Sequence, residues 1–323
     1  MNRIVVGLAE QATSAAAVQW AGAQAQRSGS SLEILRALQY PSTTAAGMGA
    51  WYPDDLMGEL DALALTELEE ARASVSATFP DLEVDTRLVH THPRLALTRA
   101  SETARMVVTG ARRRRTLAGA LLGSTSMHVA AHSRCPTAVI HAEPVPGARG
   151  VVVGYDGSPA ADEAVTVAAE QASAVGEELL VVHAWFLEGV VPVGFEPTRY
   201  VARSTRQEAD QRHRLDQVAR AVAGLHPGLV VRADLLVDGF ASDGLVTAAL
   251  TARLLVVGSR GHGAFASMLL GSTSSNVLQH TLTPVIVVPD RVRVAGATPL
   301  EADDEGDGKA VRPPVGASGG GTQ

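Results

Sequence analysis

The sequence predicts two tandem α/β domains, each a doubly wound parallel sheet of five strands with helices on both faces. Three observations carry that expectation. The first is a repeat. Ile4-Val5-Val6-Gly7 returns as Val151-Val152-Val153-Gly154 at an offset of 147, and Met106-Val107-Val108-Thr109-Gly110 returns as Leu254-Leu255-Val256-Val257-Gly258 at an offset of 148. Leu122-Gly123-Ser124-Thr125-Ser126 and Leu270-Gly271-Ser272-Thr273-Ser274 keep the second spacing, and Cys135 to Ile140 falls over Thr283 to Val288. The second observation is that the strand segments are near-continuous runs of Val, Leu and Ile, as in a sheet buried on both sides. The third is that helical segments separate these runs, which calls for crossover connections of one hand. The repeat divides the chain into domains over 1–147 and 148–292, with a tail over 293–323.

In the second copy, Val151 to Gly154 is the first strand. Ser158 then offers a capping hydroxyl and Pro159 suits the first helical position. Ala161, Val165, Ala168, Ala172 and Val175 mark one helical face that Gly176 ends. Leu179 to Phe186 reads as the next strand and Leu187 to Tyr200 as a loop rich in Gly and Pro. Arg203 to Gly224 is predicted helical, with Leu215, Val218, Ala219 and Val222 inward. Leu229 to Val237 is a third strand, Ser242 to Thr251 a helix, Leu254 to Val257 a fourth strand, Thr273 to His280 a helix and Pro284 to Val288 the fifth strand. The first copy follows suit: Ile4 to Gly7, a helix over Thr13 to Gln26, Leu32 to Leu38, a loop through Trp51, a helix over Asp55 to Ala77, then Leu82 to Val89. The closing strands Thr137 to His141 and Pro284 to Val288 are the expected junction of an internal pseudo-dimer.

Composition excludes several classes. Hydrophobic residues make up 46% of the 323, enough for two cores, but aromatics are only 4%, so those cores are built from Ala, Val and Leu. A net charge of −7 offers no general attraction to nucleic acid or to an anionic membrane. No apolar run is long enough to span a bilayer. The single cysteine, Cys135, excludes an internal disulfide and a Cys-based zinc cluster, and fits a reducing compartment. Met1 to Gly7 runs straight into a strand pattern without a signal-peptide core, so a cytoplasmic protein is expected. In the tail, Glu301, Asp303, Asp304, Glu305 and Asp307 precede Pro313-Pro314 and Gly319-Gly320-Gly321, which predicts disorder.

The chemistry concentrates in Leu254 to Ser274. A buried strand that ends in glycines and feeds a Ser-capped helix gathers free backbone N–H groups and a positive helix end at one place, which suits a phosphate-sized anion. Two residues separate Gly258 from Gly261 and nine separate Gly261 from Gly271-Ser272, a spacing that fits neither the Walker A loop nor the dinucleotide fingerprint. In an open parallel sheet the ligand sits beyond the carboxyl ends of the strands where their order reverses. That places Asp156, in Gly154-Tyr155-Asp156-Gly157-Ser158, beside Gly258.

The pairing of VVVGYDGSPAADEA with GSRGHGAFASMLLGSTSSNVLQHTLTPVIVV resembles the universal stress protein family, and the duplicated chain resembles its tandem, ATP-binding members over roughly residues 1 to 290. The resemblance implies a Rossmann-like fold of the adenine nucleotide alpha hydrolase-like kind, holding ATP, with Mg2+ as a companion ion. It further implies that Asp156 meets the ribose, Gly258 and Gly261 the ribose and phosphates, Gly271, Ser272 and Thr273 the phosphates, and backbone at Ala184 the adenine edge, with Gly157 among the nucleotide-binding residues. It implies pairing of tandem chains into a homodimer and an unidentified protein partner. The first copy departs from the pattern: Ala9 stands where Asp156 stands, and Arg113 replaces the second glycine. One nucleotide per chain is therefore expected, in the second copy. The run Arg112 to Arg115 is either an electrostatic anion site or a solvated surface.

No catalytic or metal-ligating set stands out. His128 and His132 lie four apart on a predicted helix but lack a third ligand in sequence, so packing or surface duty is the expected role. His262 lies in the loop without a neighbouring nucleophile motif, and Cys135 reads as structural. Three functions remain open: a stress-response ATP-binding regulator, a slow ATP hydrolase or nucleotide-transferring enzyme, and a nucleotide-independent scaffold. An adenylating ligase would carry a Ser-Gly-Gly-rich or His-x-Gly-His element after the first strand, where this chain has Tyr155-Asp156-Gly157-Ser158.

Overall fold

A computed structural model describes residues 2–9, 13–39, 54–111, 114–116, 119–121, 123–141, 146–185, 197–237, 240–261 and 269–290. The loop through Trp51, residues 187–196, Arg112, Arg113, His262 and the tail 293–323 lie outside the described residues. The first half runs β1 (Arg3–Leu8), α1 (Thr13–Ser28), β2 (Ser31–Ala37), α2 (Asp54–Thr78), β3 (Val84–Val89), α3 (Pro93–Ala100), β4 (Met106–Gly110), β5 (Arg114–Thr116), β6 (Gly119–Leu121), α4 (Ser124–His132) and β7 (Thr137–Ile140). The second runs β8 (Val151–Gly154), α5 (Pro159–Val175), β9 (Leu179–Trp185), α6 (Pro197–Leu225), β10 (Val231–Val237), α7 (Ala241–Ala248), β11 (Leu254–Gly258), α8 (Ser272–His280) and β12 (Val285–Val288).

The strands form one ten-stranded sheet in the order β10-β9-β8-β11-β12-β7-β4-β1-β2-β3. Each half is parallel, and the halves meet at an antiparallel β12–β7 pair in which Ile286 faces Ala138. The order reverses between β8 and β11 and, in the first half, between β1 and β4, so each half has a crevice beyond those strand ends. On one face a single apolar cluster draws Val6, Ala21 and Ile140 together with Val153, Ala168 and Ile286, so α1 and α5 seal the junction from the same side. On the other face Ala130 and Val139 share a cluster with Val277, Leu278 and Val287. Helices rich in alanine approach closely enough for such a sheet to bury its valines with few aromatics.

The helix ends follow their local chemistry. Ser158 caps α5: its Oγ accepts the Ala161 N–H at 3.2 Å, and Pro159 takes the first position. Gly176 ends it in the left-handed region at φ 65°, and the Glu177 N–H returns to the Ala172 carbonyl at 3.1 Å. Two expectations need correction. The helix expected from Arg203 begins at Pro197, inside the stretch read as loop, because a proline signals a helix start as readily as a loop. The helix expected to be capped by serine, α8, is capped by Gly271 without any side-chain bond, and Ser272 is already its first turn. The hairpin β5–β6 had no counterpart in the sequence reading; it lies against α8 of the other half.

Candidate functional site

The second-half crevice is built from the ends of β8 and β11. After Gly154 the chain turns through Tyr155 and Asp156 to Gly157, which has φ 81° and gives the tight turn its left-handed residue. The turn is fixed by two bonds. The Ser158 N–H donates to Asp156 Oδ1 at 3.0 Å, and His183 Nδ1 donates to the Tyr155 carbonyl at 2.6 Å. The Tyr155 hydroxyl is held above its ordinary pKa, first by burial and then by Asp162, with a smaller push from Asp156.

Opposite, the loop after β11 is pinned at both ends. The Ser259 N–H bonds the Val288 carbonyl at 2.7 Å, and the Gly271 N–H returns to the Ser259 carbonyl at 2.8 Å, so the two ends of the loop stay together. Ser274 Oγ donates to the Gly258 carbonyl at 2.6 Å, which ties the first turn of α8 to the strand end. Gly258 is packed on Ala160, where a β-carbon would lie 3.0 Å from the Ala160 backbone, and a β-carbon on Gly261 would collide with Asp156 Oδ2. Arg260 has its charge matched by Asp290 at 2.9 Å. With a glycine cap, the N-terminal N–H groups of α8 receive no side-chain bond and face the crevice with the positive end of the helix.

These parts enclose a cavity of about 400 Å³. It has a carboxylate on one wall, a glycine floor and a helix N-terminus on the other wall, which is the donor and acceptor set for a hydroxyl-bearing phosphate ester.

The universal stress protein family model matches residues 1–141 and again 148–289. The chain belongs to the universal stress protein family. A universal stress protein of Mycobacterium tuberculosis (strain CDC 1551 / Oshkosh) is 32% identical over 302 residues, covering 88% of this chain and 94% of the relative. One of Mycobacterium bovis is 33% identical over 298 residues, covering 88% and 96%. Among solved structures, a universal stress protein from Archaeoglobus fulgidus aligns with a TM-score of 0.65 at 20% identity, over 89% of this chain and 96% of that one, a likeness of fold.

In this universal stress protein, Asp156, Ala184, Gly258, Gly261, Gly271, Ser272 and Thr273 all line the one cavity. Gly157 does not; it shapes the turn behind Asp156. The sequence reading missed Tyr155, Val182, Ala241 and Leu245, which complete the wall. It also missed Ser274, whose bond to the end of β11 is repeated by Ser126 Oγ on the Gly110 carbonyl at 2.9 Å. The repeat itself carried that signal, since both serines stand at the same place in the two copies.

The first half keeps the frame of this universal stress protein site and loses its carboxylate. At Ala9 the turn is closed by Ser14, whose Oγ accepts the Ala9 N–H at 3.0 Å and donates to the Ala9 carbonyl at 2.9 Å. Arg36 takes the place of His183 and donates to the Leu8 carbonyl at 3.2 Å. Helix α4, like α8, starts at a glycine, Gly123, with no side-chain cap bond. Cys135 is buried, and burial pushes its thiol up to about 11, in keeping with a structural role. Among the described residues, no group of three or more His, Cys, Asp or Glu is arranged to hold a metal, and no helix is long and apolar enough to cross a membrane.

Proposed function

We propose that this universal stress protein binds ATP in its second domain and uses occupancy of that site to bias its conformation or its contact with a partner protein. The observation that carries the reading is the convergence of Asp156, Gly258, Gly261 and the glycine-capped start of α8 on one cavity at the strand-order switch. The Asp156 carboxylate accepts from ribose hydroxyls. Gly258 and Gly261 let sugar and phosphate lie against bare backbone. The N–H groups of Ser272 and Thr273, with the Ser272 hydroxyl, receive the phosphates, where the helix dipole favours negative charge. The backbone at Ala184 meets the adenine edge. Magnesium would arrive on the phosphates. A cavity of this size suits a ligand of nucleotide dimensions.

The reading predicts a bound stoichiometry. Nucleotide released from the purified chain and counted by chromatography is expected to be ATP or ADP near one equivalent, and to be lost in Asp156→Ala and Gly261→Arg. Two equivalents would contradict a single competent site. Saturating ATP raises the melting temperature by mass action, and the absence of any rise removes the nucleotide reading. Pairing of two tandem chains belongs to the same proposal, and light scattering that gives a strict monomer overturns that part alone.

A further inference from the structure

The cavity of the second half carries little charge for a site offered to a nucleotide. Among its described lining residues, Asp156 is the single carboxylate and Arg260 the single cation. Arg260 is already engaged: its Nη2 donates to Asp290 Oδ2 at 2.9 Å, and Asp290 does not line the cavity. The phosphate end is thus left with neutral donors at the start of α8 and with the partial charge of the helix end.

The backbone of Arg260 is fixed while its side chain has a choice of partners. The Arg260 carbonyl accepts Ser158 Oγ at 3.4 Å, and the preceding residue is held through the Ser259 N–H on the Val288 carbonyl and the Gly271 N–H on the Ser259 carbonyl. A β-carbon on Gly271 would lie 3.5 Å from the Arg260 Cα, so the arginine backbone sits directly against the cap of α8. From that point a side chain several bonds long reaches either Asp290 or the N-terminus of α8 by rotation alone.

The magnitudes favour an exchange with a highly charged ligand. The pair with Asp290 has water at its edge, with side-chain exposures of 15% and 23%, and such pairs contribute modestly. A guanidinium on a phosphate makes a charge-assisted, two-pronged contact with a partner of higher charge. The repeat sets the carboxylate apart. Arg112 stands at an offset of 148 from Arg260, so both copies carry the arginine, whereas Asp290 falls on Ala142. The competing carboxylate belongs to the copy that also has Asp156.

We propose that Arg260 is a specificity-determining residue that reads how many phosphates the ligand carries. It leaves Asp290 for a phosphate oxygen when the nucleotide brings enough negative charge, and Asp290 sets the threshold by competing for it. The inference rests on the ATP reading above and adds to it a selectivity for polyphosphate over nucleoside. Adenosine leaves the ion pair intact, and each added phosphate draws the arginine further from Asp290.

The test is calorimetric titration of the intact chain with adenosine, AMP, ADP and ATP at constant ionic strength and magnesium, read as the ratio of ATP affinity to adenosine affinity. Asp290→Asn keeps the shape and removes the competing charge, and is expected to raise that ratio about tenfold, the step given by one charge-assisted hydrogen bond. Arg260→Gln is expected to lower it by a similar factor and to flatten the rise from AMP to ATP. The double variant separates an exchange of partners from the mere removal of a negative charge near the phosphates: in the Arg260→Gln background, Asp290→Asn is expected to have no further effect. An equal gain from Asp290→Asn in both backgrounds, or an unchanged ratio in either folded single variant, overturns the inference and leaves ATP binding standing. No binding of any of the four ligands by the native chain overturns the ATP reading and this inference with it.

Discussion

Asp156 and Gly261 are so close that the carboxylate fills the space a β-carbon would need. Gly261 is not held in the left-handed region, so Gly261→Ala tests the position of the carboxylate and not backbone strain. The expected result is a stability loss below about 1 kcal/mol, typical of a surface loop change, together with loss of the ATP-induced rise in melting temperature. An unchanged ATP response would show that Asp156 can be displaced without cost to binding. His128 makes a second prediction. Its folded pKa of about 4 lies below the ordinary 6.5, so between these values the unfolded chain binds more protons. Stability therefore falls as pH drops from about 6.5 towards 4, and His128→Asn should flatten that acid limb in melts taken across the window. An equally steep limb in the variant would place the effect elsewhere. At this scale, Asp156 and the glycines were legible because their residue types and spacing have few other uses. Leu245, Val182 and Tyr155 were not, because apolar residues on strands and helices read as core until the fold turns them to the cavity.

Helix α5 is closed at both ends by side-chain and backbone chemistry, and the sequence showed both closures in Ser158-Pro159 and Gly176. Ser158→Ala is expected to cost about 1 kcal/mol, as for other lost caps, read as a lower denaturant midpoint with unchanged slope. Helix α8 has the opposite design. Ser272 was read as its cap because glycine and serine both occupy that position and only the backbone angles separate them; Gly271 has the extended φ −66°, ψ 156°. A β-carbon at Gly271 would meet only ordinary contacts at 3.5 Å, from the Arg260 Cα and the Ser259 carbonyl. Gly271→Asp can therefore be accommodated, and its carboxylate would take the N–H groups proposed above to receive phosphate. The expected outcome is a gain of a few tenths of a kcal/mol without ligand and no further rise with ATP. A melting curve that still climbs with ATP would show that the phosphates lie elsewhere.

Both halves share one ten-stranded sheet, sealed at β7–β12 by apolar clusters on both faces. The junction was legible because each copy ends in a short apolar strand with no partner of its own on its outer edge. The seal is reinforced by His141 Nε2, which donates to the Leu278 carbonyl of α8 at 2.8 Å from the other half. Calorimetry is expected to give one cooperative transition that ATP moves as a unit. Two transitions of which ATP moves one would show that the halves unfold separately. The antiparallel pairing has a further consequence. Within one sheet it relates the halves by a half-turn about an axis normal to the sheet, so the carboxyl ends of β8 and β11 and those of β1 and β4 point to opposite rims. A body docked over the rim of the second-half crevice leaves the other rim uncovered. The two crevices thus open in opposite directions, with Ala130, Leu278 and the β7–β12 seam packed between them.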